Sequence, residues 1–104
     1  MNETRVWPSG NDKPVCMLGF DHSECSALTG ISFEKGVDDL DEYFAGMLLD
    51  DTVGPMRFMY YINAPIKGVV VSVDSKVKTA QAVEVVKTRF GLAASDFYWV
   101  TSIE

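Results

Sequence analysis

A chain of 104 residues with 47% hydrophobic and 23% charged residues has the composition of one folded globular domain, which excludes wholesale disorder. Its longest apolar run is far shorter than the ~20 residues needed to cross a bilayer, so no transmembrane helix is predicted. Fifteen acidic and nine basic residues give a formal charge of −6. This charge disfavours binding to nucleic acid or to anionic membranes, and it favours a basic partner.

Residues 1–13 are predicted to form an N-terminal arm or an edge hairpin. Turn-forming residues cluster from Pro8 to Asp12, and Trp7 indicates that the arm docks on an apolar surface. The first residues lack the basic start and apolar core of a signal peptide, which predicts a cytoplasmic protein.

The first half of the chain predicts one strand, one loop and one helix. Residues 14–20 contain the apolar run of a strand buried on both faces, which favours a central position in a sheet. Residues 21–30 are small and polar and predict a loop, and residues 31–33 are a candidate short strand. Residues 36–50 predict a helix, because apolar residues recur at the spacing of one helix face, namely Val37, Leu40, Phe44, Met47 and Leu48.

The second half predicts a hairpin, a helix and a strand. Residues 56–63 and 69–75 are rich in strand-forming residues, and Pro65 and Gly68 indicate a turn between them. A second helix is predicted to begin after a cap at Asp74 or Ser75 and to run to Phe90, with Gly91 as its C-terminal stop. Its apolar face is predicted to contain Thr79, Ala82, Val83, Val86 and Phe90. Residues 97–103 predict the last strand.

These elements predict a single α+β domain over residues 1–104, built on an antiparallel sheet of four to five strands with two helices on one face. The predicted order, βαββαβ, is that of ferredoxin-like folds, here with an N-terminal extension. Right-handed connections over the helices would place the first and third of these strands centrally. The fold predicts no function, because it hosts many unrelated functions.

The candidates for a reactive or metal site are the lone histidine and the two cysteines. Cys16, His22 and Cys25 lack the paired short spacings of structural zinc sites, so neither a metal nor a cofactor is predicted. The sequence leaves open whether the two thiols are free. A nucleophilic Cys16 or Cys25 activated by His22 is a third hypothesis, which requires a lowered thiol pKa.

Two surfaces are candidates for binding a partner protein. On the predicted first helix, acidic residues crowd one region, and a basic partner would meet Asp38, Asp39, Glu42 and Asp50. The second surface is the sheet face away from the helices, which we call the open face. Alternation along the hairpin and the last strand divides the side chains between the two faces, and it predicts that Phe97 and Trp99 face the helices. That open face is expected to contain Met59, Tyr61, Val70, Ser72 and Tyr98.

The leading functional hypothesis is a small, acidic, non-catalytic protein that inhibits a basic, nuclease-like toxin by occlusion. In size and charge the chain resembles immunity proteins and antitoxins as a class. The anchors would be Met59, Tyr61 and Tyr98, with the acidic residues supplying complementary charge. The alternative is a ferredoxin-like module that binds a small ligand or acts as a regulatory homodimer.

Overall fold

The computed structural model describes residues 12–37 and 42–101. This part of the chain forms six strands and two helices, so the α+β class is confirmed. The elements are β1 (Asp12–Leu18), α1 (His22–Thr29), β2 (Glu34–Val37), β3 (Glu42–Asp50), β4 (Gly54–Tyr61), β5 (Val69–Asp74), α2 (Thr79–Phe90) and β6 (Phe97–Val100). Within these ranges neither helix is long and apolar enough to cross a membrane.

The six strands form one antiparallel sheet in the order β2-β3-β4-β5-β1-β6. The prediction of four to five strands was therefore too small. The chain order also differs from the ferredoxin-like order, because two strands, β2 and β3, stand where one helix was expected. The predicted β4–β5 hairpin is confirmed, and β1 lies between two neighbours as its apolar sequence predicted.

The predicted helix over residues 36–50 is wrong, and the chain there forms β2 and β3. Gly46 lies in the middle of this segment and disfavours a helix by about 1 kcal/mol. In the strand the same glycine is required by packing, because a Cβ atom there would lie 2.4 Å from Cγ2 of Ile31. β3 pairs with β4 over eight residues, and this pairing outweighs the helical spacing of the apolar residues.

The predicted loop over residues 21–30 is also wrong, because it contains α1. The backbone N–H of Glu24 donates to Oδ1 of Asp21 at 2.8 Å, and the N–H of Asp21 donates to Oε1 of Glu24 at 3.0 Å. This reciprocal capping box satisfies two backbone donors at the start of the helix. Gly30 ends the helix with a φ of 76°. The candidate strand at 31–33 starts three residues later, at Glu34.

Both helices cover the same face of the sheet. Phe58 and Phe44 share that face, and the ring of Phe90 on α2 lies 6.2 Å from that of Phe58. The imidazole of His22 on α1 stacks on the ring of Phe44 at 3.8 Å. The predicted apolar face of α2 is confirmed, and α2 ends at Phe90 with Gly91 as its C-cap, as expected.

The start of α2 differs from the prediction. The helix begins at Thr79, and the residue before it, Lys78, provides no side-chain cap. Oδ1 of Asp74 accepts a hydrogen bond from the backbone N–H of Lys76 at 2.8 Å. Asp74 therefore stabilises the turn after β5 rather than the helix.

Candidate protein-binding surface

A row of apolar side chains crosses the sheet on the face away from the helices. Strand pairing aligns Ala45 with Met59, Met59 with Val70, Val70 with Met17, and Met17 with Trp99. Residues paired directly opposite each other point to the same face. At ~4.8 Å per strand, this row of five residues spans roughly 19 Å, and we call it the cross-strand row.

The cross-strand row is accessible along its length. Ala45, Met59, Val70 and Met17 are half-buried, and Trp99 is 39% exposed. Methionine and tryptophan are enriched at the buried centres of protein interfaces. The row is therefore a continuous apolar strip across five strands of the sheet.

A tyrosine pair borders the row on one side. Tyr43 on β3 is paired with Tyr61 on β4, and their rings meet edge to face with centroids 6.0 Å apart. The neighbouring strand leaves room for this arrangement, because a Cβ atom on Gly36 would lie 2.6 Å from Cζ of Tyr43. Tyr61 therefore lies on the open face, as the alternation of the hairpin predicted.

An ion pair borders the row on the other side. Nη2 of Arg57 lies 2.5 Å from Oδ2 of Asp12, which brings β4 and β1 together across the intervening β5. Ser72 on β5 is paired with Arg57 and is only 6% exposed. The open face therefore combines an apolar row with an ion pair beside it.

The four acidic residues predicted to bind a partner differ in whether the structure describes them and in how exposed they are. Asp38 and Asp39 lie outside the described residues. Glu42 is on β3, and its Oε2 lies 2.9 Å from Nζ of Lys35, with both side chains well exposed. Exposed ion pairs of this kind contribute ~0–1 kcal/mol, so Glu42 remains accessible to a partner.

The expectation that Asp50 lies on an exposed acidic face is wrong. Asp50 is 7% exposed, and its Oδ2 accepts hydrogen bonds from the backbone N–H groups of Thr52 at 2.8 Å and Val53 at 3.1 Å. Its Oδ1 accepts a hydrogen bond from Nη1 of Arg89 at 2.8 Å. Asp50 anchors the turn between β3 and β4 to α2, and it offers no surface to a partner.

The last strand differs in one detail from the expected alternation. Leu18 pairs with Phe97 and Met17 pairs with Trp99, so Tyr98 is an extra residue in a β-bulge. The bulge brings Trp99 to the open face, whereas the alternation predicted that it faces the helices. Tyr98, the third predicted anchor, is 59% exposed.

The surroundings of the cysteine and histidine side chains disfavour a reactive thiol. Cys16 and Cys25 are free and fully buried, and burial raises the pKa of each thiol to about 12. The imidazole of His22 packs against the rings of Phe44, Tyr60 and Phe33. Across residues 12–37 and 42–101, no three His, Cys, Asp or Glu side chains are placed to hold a metal ion. These environments argue against a thiolate nucleophile at either cysteine.

Both thiols are expected to resist alkylation at neutral pH in the folded protein, because the reactive species is the thiolate. Iodoacetamide labelling followed by mass spectrometry measures this, with the urea-unfolded chain as the control that labels fully. Rapid labelling of either cysteine under native conditions would contradict the buried, protonated state.

The same pKa values predict a dependence of stability on pH. The pKa of each thiol is about 12 in the folded protein and near 9.0 when exposed, so the unfolded state releases protons first as pH rises. The stability contributed by the buried thiols is thus complete below pH 9 and decreases above it, by up to ~1.4 kcal/mol per pH unit for each thiol. Urea titrations of the wild type and of a Cys16→Ala, Cys25→Ala variant at several alkaline pH values isolate this slope from other titrations.

Sequence reasoning found part of this surface and missed the rest. Met59, Tyr61 and Val70 were expected on the open face from the alternation of the hairpin. Met17 and Ala45 were missed, because alternation shows which residues of one strand share a face but not which strands are neighbours. Residues 14–20 carry no alternation that would distinguish the two faces of the strand, so the apolar run predicts burial on both faces and gives no signal for Met17.

No family model matches this chain, and comparisons with curated proteins and with solved structures also find no match.

Proposed function

We propose that this protein binds a basic partner protein through the open face of its sheet. Binding would inhibit the partner by occluding its substrate-binding site, as immunity proteins and antitoxins do. The observation that carries the proposal is the cross-strand row, which places Met17, Met59 and Trp99 in one strip. A strip of this kind supplies an apolar centre of the sort in which binding hot spots cluster.

The charge of the chain supports a basic partner. Val37 on β2 is paired with Glu42 on β3. In the sequence, three of the four residues between them are aspartates. Tyr43, one of the two tyrosines that border the row, directly follows Glu42. Acidic residues favour lysine and arginine on the partner, and they act mainly on association rate and specificity.

A nuclease-like toxin is the proposed partner because such an enzyme needs lysine and arginine to bind phosphate groups. A protein of opposite charge that docks over those side chains competes directly with the nucleic acid. Inhibition by occlusion requires no catalytic group on the inhibitor, so Asp38, Asp39 and Glu42 serve as charge and Met59, Tyr61 and Tyr98 as anchors.

A comparison of three baits tests the proposal. The wild type, Met59→Lys and Leu28→Lys are used to capture proteins from the source cell, and each captured protein is then purified and measured by calorimetry. Met59 is at the centre of the row, and Leu28 is a matched apolar position on α1, 43% exposed. We expect Met59→Lys to weaken binding of the partner more than about tenfold and Leu28→Lys to leave it unchanged.

The two parts of the proposal are separable in this experiment. A partner that binds Met59→Lys as tightly as the wild type would exclude the open face as the docking surface. A captured partner with an acidic or neutral charge would exclude charge complementarity. For a basic partner, Asp39→Lys combined with Glu42→Lys is expected to slow association and to weaken its dependence on salt, whereas unchanged association kinetics would remove these residues from the interface.

A further inference from the structure

The two edges of the sheet are protected differently. At one edge, β2 contains Glu34 and Lys35, and charged side chains on an edge strand oppose pairing with another strand. At the other edge, β6 consists of Phe97–Val100 and contains no charged residue. Its side chains are nevertheless accessible, since Tyr98, Trp99 and Val100 are 59%, 39% and 40% exposed.

The backbone of β6 also presents hydrogen-bonding groups at this edge that no other strand of the described residues pairs with. The N–H of Thr101 donates to the carbonyl oxygen of Val15 on β1 at 2.9 Å. Successive residues of a strand direct their N–H and C=O groups to opposite sides, so those of Val100 point away from β1. Within the described residues no strand lies beyond β6.

We infer that two copies of this chain pair along β6, antiparallel to each other, around a twofold axis at Val100. In this arrangement the two Val100 residues exchange both N–H···O=C hydrogen bonds across the axis. Trp99 of one copy lies opposite Thr101 of the other on the open face.

The chemistry of β6 favours a second copy as its occupant. An antiparallel pair of identical strands is self-complementary when it brings no like charges together, and β6 meets that condition. Among the described residues, the bulge at Tyr98 limits regular pairing to residues 99–101. The buried area is therefore well below the ~800 Å² per partner of a standard interface, so we expect a weak dimer that forms as concentration rises.

The consequence of this dimer is a doubled binding surface. A twofold axis perpendicular to the sheet keeps the open faces of both copies on the same side of the joined sheet. The cross-strand row of each copy ends at Trp99, next to the other copy. The dimer needs no other protein, so it goes beyond the proposed inhibitor function and can be tested without a partner.

Sedimentation velocity of the purified full chain, from micromolar to millimolar concentration, tests the inference. The wild type is expected to shift from monomer to dimer over this range. Val100→Lys places two like charges directly opposite each other at the axis and is expected to raise the dissociation constant more than about tenfold. Val37→Lys, at the 72% exposed residue on the opposite edge, is the matched control and is expected to dimerise like the wild type.

Amide hydrogen exchange supplies a second measurement at the backbone. We expect the amide proton of Val100 to become protected as concentration rises, whereas that of Thr101 is protected throughout by its bond to Val15. A wild type that remains monomeric to millimolar concentration would overturn the inference. So would a dimer that survives Val100→Lys, or one that is lost in Met59→Lys, which would indicate association through the open face instead.

Discussion

Replacing Phe58 with alanine is expected to destabilise the protein by about 3–5 kcal/mol, the usual cost of truncating a fully buried phenylalanine. Phe58 has no exposed surface, and its ring meets that of Phe90 edge to face. Its neighbour across the strand pair is Gly46, which has no side chain to fill the space left behind. The truncation therefore leaves a cavity between the sheet and α2.

Urea unfolding followed by far-UV circular dichroism measures this change. Val37→Ala is the control, because Val37 is 72% exposed and its truncation is expected to change stability by less than about 0.5 kcal/mol. A loss below about 1.5 kcal/mol for Phe58→Ala would show that the sheet and helix collapse around the cavity, contrary to the packing described here.

Replacing Asp50 with alanine is expected to cost about 2–3 kcal/mol, the second largest effect. The substitution removes the acceptor for the backbone N–H groups of Thr52 and Val53, and Val53 is only 5% exposed. Arg89 also loses its partner, but its side chain is 43% exposed and is rehydrated at little cost. Most of the expected loss therefore comes from the turn.

The adjacent Asp51 provides the matched control, because it is exposed and is expected to tolerate alanine within about 0.5 kcal/mol. Thermal and urea unfolding of both variants distinguish the two positions. Equal stabilities for Asp50→Ala and Asp51→Ala would contradict the structural role of the Asp50 carboxylate. A folded Asp50→Ala variant should still bind any partner of the open face.

Where local sequence signals and tertiary pairing agree, the sequence predicted the structure. The β4–β5 hairpin has strand-forming residues on both sides of a turn with Pro65 and Gly68, and the apolar face of α2 repeats at helical spacing. In contrast, the apolar residues of β3 fit a helix as well as a strand. The choice between helix and strand is decided by the pairing of β3 with β4, which no local sequence signal shows.

The candidate surface was predictable to the same extent. Met59 and Tyr61 were found because alternation within one hairpin assigns faces. The alignment of Met17 with Trp99 depends on a register and a bulge between strands that are distant in sequence, and no local pattern encodes either. The capping box of Asp21 and Glu24 was, however, present in the sequence and overlooked.

The position of β1 in the sheet has a consequence for how the chain folds. One side of β1 pairs with β5, where Met17 lies opposite Val70, and the other side pairs with β6, where Met17 lies opposite Trp99. Neither side can pair until the corresponding later strand has been synthesised. Contacts between residues so far apart in sequence slow folding, and until they form, the apolar strand from Val15 to Leu18 is exposed on the ribosome. We therefore expect nascent chains that end before β6 to aggregate or to require a chaperone, although most of their residues have already emerged.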